Sequence, residues 1–103
     1  DCCSSGGSGG SSDSSASVDE TESKFFEFMK ATNAPGTLDA RTKKAIAIAL
    51  SVAAKCEPCL KNHILGARDV GFSQEEIDEA AWMAIAFGGS PLMMFYKTLR
   101  RTA

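Results

Sequence analysis

A chain of 103 residues with 44% apolar residues and a formal charge of -2 has room for one domain and a small core. Its 11 basic residues are scattered among 13 acidic ones and supply no basic field, so neither a nucleic-acid nor an anionic-membrane partner is expected. The longest apolar run, Ala45 to Ala54 with Ser51 inside it, falls short of the roughly 18 residues a membrane span needs.

The four cysteines come as Cys2-Cys3 and Cys56-x-x-Cys59. Such spacing staples no long loop, which argues against a secreted disulfide framework and for a reducing, cytoplasmic compartment, where a Cys-x-x-Cys is catalytic or metal-binding. The first residues show neither a basic start nor an apolar stretch of a secretory signal. Because the chain starts at Asp1 rather than Met, a removed leader is left open.

Residues 1–18 have a Gly/Ser linker composition with almost nothing to bury. Ordering them costs about 1 to 2 kcal/mol each in backbone entropy, so a disordered tail is predicted ahead of a helical domain over 19–103. Cys2 and Cys3 read as idle thiols of that tail or of a cloning remnant, with a tethered second redox or metal-binding pair as the alternative.

From about Asp19 to Thr32, Phe25, Phe26, Phe28 and Met29 sit among charges that run from acidic to basic, as a helix dipole prefers. Asn33-Ala34-Pro35-Gly36 ends this first helix. Asp39 is an N-cap for a second helix through Lys55, apolar on every face in its middle and therefore expected to be surrounded. Cys56-Glu57-Pro58 opens a third, Pro58 standing in the first turn where its missing N–H costs nothing. That helix stops at Gly71, with Phe72 folding back over a left-handed cap. Ser73-Gln74-Glu75-Glu76 is a capping box for a fourth, ending at Gly88-Gly89. Ser90 and Pro91 cap and begin a fifth, whose Met and aromatic residues read as core rather than as a cofactor site. No strand pattern occurs, so the predicted class is all-α with about five helices. Trp82, Met83, Ile85 and Phe87 represent on the order of 10 kcal/mol of burial. That surplus for so small a domain predicts a homo-oligomer.

The chemistry concentrates in Cys56-Glu57-Pro58-Cys59-Leu60-Lys61-Asn62-His63, which holds the one histidine. Spacings of three and four put Cys56, Cys59 and His63 on one face of the third helix. Residues three apart in a helical turn satisfy the Cα separation of a disulfide, about 4.4 to 6.8 Å, so the pair opens and closes with little backbone movement. An ordinary cysteine is about 3% thiolate at pH 7, and one with a pKa lowered to about 7 is half ionised. The helix N-terminus, His63, Lys55 and Lys61 are the features able to lower it. In the resulting mechanism Cys59 is the attacking thiolate and Cys56 the resolving partner and proton donor, with His63 as base, directly or through a water. The substrate is a peroxide or a disulfide, an external dithiol resets the pair, and no cofactor is called for.

From about Thr37 to Leu99 the sequence resembles the carboxymuconolactone decarboxylase family in its alkylhydroperoxidase D-like branch. The residues that carry the likeness are Leu38-Asp39-x-x-Thr42-Lys43 with the apolar run after it, Cys56-Glu57-Pro58-Cys59-x-x-x-His63, Ala67-x-x-x-Gly71, Glu75-Glu76-Ile77 and Gly88-Gly89-Ser90-Pro91. The resemblance implies an all-helical fold, trimers or hexamers, and a thiol-dependent peroxidase or disulfide reductase served by a peroxiredoxin and a lipoyl-bearing dithiol protein. It also implies that Cys59 forms the sulfenic acid or mixed disulfide, that Cys56 gives the proton and that His63 relays it. The decarboxylase branch lacks the paired cysteines, so lactone decarboxylation is not implied. The family prototype has a glutamate twelve residues before the first cysteine, and Lys44 stands there in this chain. An ammonium cannot accept that proton. It would lower the pKa of His63 if it points into the site, which weighs against the prototype's peroxidase relay and less against disulfide exchange. Glu57 is the remaining carboxylate near enough in sequence to stand in.

Two rival readings compete. Cys56, Cys59 and His63 supply three zinc ligands if a neighbouring subunit or the Cys2-Cys3 tail gives a fourth. Alternatively the fold is an oligomeric scaffold with an idle Cys-x-x-Cys.

Overall fold

The computed structural model describes residues 15 and 17–101, and the tail and its Cys2-Cys3 pair lie outside the described residues apart from Ser15, Ser17 and Val18. Five helices follow one another: α1 Val18–Asn33, α2 Ala40–Ala53, α3 Glu57–Asp69, α4 Gln74–Gly88 and α5 Ser90–Arg100. Among the described residues there is no strand, and no helix is long and apolar enough to cross a membrane. The residues fall into two units, one holding α1 up to Thr32 and the other starting at Asn33.

α1 opens on a reciprocal cap, Glu20 N–H donating to Ser17 Oγ (3.1 Å) and Ser17 N–H to Glu20 Oε1 (3.0 Å). None of its residues is buried.

In the second unit α2 is the central element, packed against α4, α3 and α5. Asp39 caps it, its carboxylate accepting from Thr42 N–H at 2.7 Å. Ile48 and Val52 repeat at the helical spacing of four and are fully buried, joining Leu60, Ile64 and Ala67 of α3, Ile77, Ala81 and Ile85 of α4, and Leu92, Tyr96 and Leu99 of α5. Within the chain, however, α2 is not surrounded: Leu50 is 63% exposed and Ile46 44%. α4 is likewise one-sided, with Ile85 in the core and Trp82, Met83 and Phe87 exposed. Of the four α4 residues assigned to a subunit contact from sequence, Ile85 thus belongs to the chain's own interior.

The ends of the helices follow the sequence at most points. At the end of α3, Gly71 is left-handed (φ 92°). Phe72 N–H there reaches Ala67 C=O (2.9 Å) and Gly71 N–H reaches Arg68 C=O (3.0 Å), a Schellman motif. Ser73 and Glu76 form the predicted capping box. The start of α5 differs: Ser90 is its first helical residue and makes no side-chain cap. Gly89 (φ 80°) is the cap, its carbonyl accepting from Leu92 N–H at 3.0 Å. The Leu92 side chain fills the space a Cβ on Gly88 would take, so two glycines are needed where the chain reverses.

Arg41 ties the start of α2 to the α3–α4 connection. It donates to Val70 C=O (3.0 Å) and Glu76 Oε2 (2.8 Å) while its guanidinium lies 4.3 Å from the centre of the Phe72 ring. A second polar cluster joins α4 and α5, where Asp78 Oδ1 accepts from the buried Tyr96 hydroxyl (2.6 Å) and from Gln74 (3.0 Å).

Candidate active site

Cys56 is delivered by a second Schellman turn, one that has no glycine. Lys55 takes the left-handed position at φ 53°. Its N–H donates to Val52 C=O (3.0 Å), and Cys56 N–H donates to the carbonyl of the buried Ser51 (3.0 Å). A lysine in this conformation stores strain of about 1 to 2 kcal/mol. Nothing in the residue types announced it, because the usual mark of such a turn is Gly or Asn.

Cys56 is therefore the N-cap of α3 rather than a member of it, with extended backbone, and its sulfur accepts the N–H of Cys59 at 3.3 Å. Pro58 occupies the first turn as its missing donor allows. Cys59 is the third helical residue, and a disulfide joins the two sulfurs across a Cα separation of 5.3 Å. Cys59 is exposed and Cys56 half-buried. Cys59 is thus the more exposed residue of the pair, while the sulfur that accepts a backbone N–H of the helix N-terminus is that of Cys56. That end of a helix stabilises negative charge, so Cys56 is suited to leave as a thiolate when the bond is opened at Cys59.

His63 stands one turn further along α3, half-buried. Its hydrogen-bond contact is with Lys44: Nδ1 lies 3.2 Å from the Lys44 ammonium, and among the described residues no hydrogen bond joins it to either sulfur. The sequence brings Lys44 there by register. It lies on the row of α2 that continues as Ile48 and Val52, one turn before them, and so faces α3. It crosses α3 where Gly66 has no side chain, since a Cβ there would sit 3.0 Å from Lys44 Nζ. Burial, and then the charge of Lys44, hold the His63 pKa below its ordinary value of 6.5. Since an ammonium only donates, Nδ1 is the acceptor and the neutral ring carries its proton on Nε2.

Glu57 makes its ion pair with Lys61 one turn along the same helix (3.3 Å), on the exposed side. Among the described residues no carboxylate lies within ion-pair distance of His63. Nor do any three His, Cys, Asp or Glu side chains among them form a group able to hold a metal ion.

The model of the carboxymuconolactone decarboxylase family matches residues 19–98. An uncharacterised protein of the cox locus of Paracoccus denitrificans is 41% identical over 69 residues. That stretch is 67% of this chain, and the chain spans 60% of that relative's length. Crystal structures that share the fold include two of this family. One is a family member from Thermotoga maritima suggested to take part in an antioxidative response, 29% identical with a TM-score of 0.72 over 84% of this chain and 72% of that one. The other is an apo family member from Legionella pneumophila, 32% identical with a TM-score of 0.73 over 80% of this chain and 73% of that one. With five helices in the order the sequence calls for and the Cys-x-x-Cys at the head of the third, the chain belongs to the carboxymuconolactone decarboxylase family, in its alkylhydroperoxidase D-like branch.

Proposed function

We propose that the protein is a thiol-disulfide oxidoreductase of antioxidant type that cycles between the Cys56–Cys59 dithiol and its disulfide. The observation that carries this reading is the asymmetry of the pair: an exposed Cys59 in the first turn of α3 joined to a half-buried Cys56 whose sulfur accepts a helix-terminal N–H. In the reducing direction the Cys59 thiolate attacks one sulfur of a substrate disulfide. The other sulfur leaves as a thiolate, and a mixed disulfide remains on Cys59. Cys56 then attacks Cys59 Sγ, expelling the second substrate thiolate and closing the internal disulfide. Two electrons pass from the dithiol to the substrate, and an external dithiol such as a lipoyl-bearing protein returns them. A peroxide enters the same cycle through a sulfenic acid on Cys59, with a peroxiredoxin as the other partner the family resemblance implies. Disulfide exchange is the favoured substrate chemistry because Lys44 stands where the peroxidase relay needs a carboxylate. A cycle of this kind works against a reducing thiol pool, which fits a cytoplasmic setting.

The same reading includes assembly with further copies of the chain, as trimers or hexamers. What supports it is the apolar groove lined by Leu50, Met83, Phe87 and Leu92, with Phe87 89% exposed.

The test is to reduce the protein, expose it to oxidised lipoamide or to peroxide, and follow free thiols. Loss of two thiols per chain from the Cys56/Cys59 pair in the wild type and no fast loss in Cys59→Ser is expected. Equal consumption by the two proteins would remove Cys59 from its role.

A further inference from the structure

Lys44 poses a problem that the cysteine cycle leaves unsolved. Its side chain is half-buried, reaches across α2 to α3 over a glycine, and ends 3.2 Å from a ring nitrogen. Among the described residues it pairs with no carboxylate. Were His63 to take up a proton as a general base, two positive charges would be in contact in a partly desolvated place. Giving up a proton creates no second positive charge beside Lys44. The imidazole already carries hydrogen on Nε2, and Nδ1 faces a group with protons to spare.

We propose that Lys44 and His63 form a proton-delivering pair, in which Nε2–H of His63 protonates the thiolate expelled from a disulfide substrate while Nδ1 takes a proton from the Lys44 ammonium. This deepens the exchange reading above and rests on it. The step balances: a thiolate, a neutral imidazole and an ammonium become a thiol, the other neutral tautomer of the imidazole and an amine. The contact survives the transfer, because Nδ1–H then donates to the amine that had been its donor. Solvent restores the proton on Lys44. Lys44 acts through His63 and is a positioning residue. The substrates that benefit are dialkyl disulfides, whose leaving thiols ionise near the cysteine value of about 8.5 and therefore leave poorly as anions. An aromatic disulfide, which expels a stable anion, needs no such help.

That difference gives the experiment. The fully reduced protein, with Cys2 and Cys3 replaced by serine so that only the Cys56/Cys59 pair reacts, is mixed in single turnover with bis(2-hydroxyethyl) disulfide and, separately, with 4,4′-dithiodipyridine, with Lys44 intact and as Lys44→Met and Lys44→Arg. The ratio of the two rates cancels any change in the ionised fraction of Cys59, since both substrates meet the same thiolate. In Lys44→Met the alkyl rate relative to the aromatic rate is expected to fall by about tenfold or more, less than the roughly hundredfold or more of a positioned acid itself because Lys44 acts through His63. Lys44→Arg is expected to fall with it, because a guanidinium keeps the charge but surrenders no proton. An unchanged ratio in Lys44→Met or in Lys44→Arg would overturn proton delivery while leaving the cysteine cycle standing. Failure of the protein with Lys44 intact to consume either disulfide would overturn the exchange reading itself, and this inference with it.

Discussion

The tip of Lys44 occupies the space above Gly66, with Nζ 3.0 Å from where a Cβ would stand, and from there it meets the ring of His63. Gly66 is a helix-interior glycine whose absent side chain makes room for a cation. Gly66→Ala is expected to be neutral or to stabilise by up to about 1 kcal/mol through helix propensity, since a flexible lysine tip moves aside cheaply. The same change pushes the ammonium away and should raise the His63 pKa toward 6.5 without restoring it, because burial is the larger cause of the depression. His63 is the chain's one histidine, so a proton NMR titration of its ring reads the shift directly. A curve identical to wild type would separate Lys44 from the titration of the ring.

The same depression fixes a sign for stability. A folded-state pKa below the unfolded value means that the unfolded chain binds the proton more readily. The contribution is therefore whole above 6.5 and is lost as pH falls through the folded value. Denaturant midpoints measured from pH 7.5 downward should fall less steeply in His63→Gln than in the wild type. A steeper fall in the variant would contradict this.

Lys55 at φ 53° predicts a stabilising substitution next to the redox pair. Lys55→Gly removes about 1 to 2 kcal/mol of left-handed strain and gives part of it back as unfolded-state freedom, for a net gain of about 0.5 to 1 kcal/mol. Lys55→Val should lose at least as much. Urea unfolding of the oxidised proteins checks both directions.

Tyr96, 1% exposed, spends its hydroxyl on Asp78. Burial first, then that hydrogen bond, raise its pKa far above the ordinary tyrosine range. Tyr96→Phe should cost about 1 to 2 kcal/mol, since Asp78 keeps Gln74 and, at 3.4 Å, Arg100 as partners. It should leave the thiol chemistry untouched. An unchanged unfolding midpoint would show the bond to be idle.

Much of this architecture is written in local chemistry, and what was not legible has a physical reason in each case. Asp39, the Ser73–Glu76 box and the Gly71–Phe72 reversal are readable because the residue type itself answers an unsatisfied backbone group. Ser90 misled for the same reason: a good capping residue stood beside a glycine whose own carbonyl and positive φ did the work. The turn at Lys55 carried no signal, since tertiary packing rather than propensity holds it. Cys56, Cys59 and His63 were found by spacing, and Lys44 as a residue out of place in the family pattern. The sequence leaves open whether Lys44 points into the site; its contact with His63 and the opening at Gly66 depend on how two helices cross, which no single stretch of sequence contains.

The cycle turns on which sulfur meets the substrate. Reduced Cys56→Ser and Cys59→Ser, each challenged with oxidised lipoamide and examined by mass spectrometry after acid quenching, answer it. Cys56→Ser should accumulate one lipoyl adduct per chain on Cys59, because the nucleophile is present and its resolver is gone, while Cys59→Ser should acquire an adduct on Cys56 only slowly. Equal or faster labelling of Cys56 would mean that the exposed cysteine of the first turn is not the one that attacks.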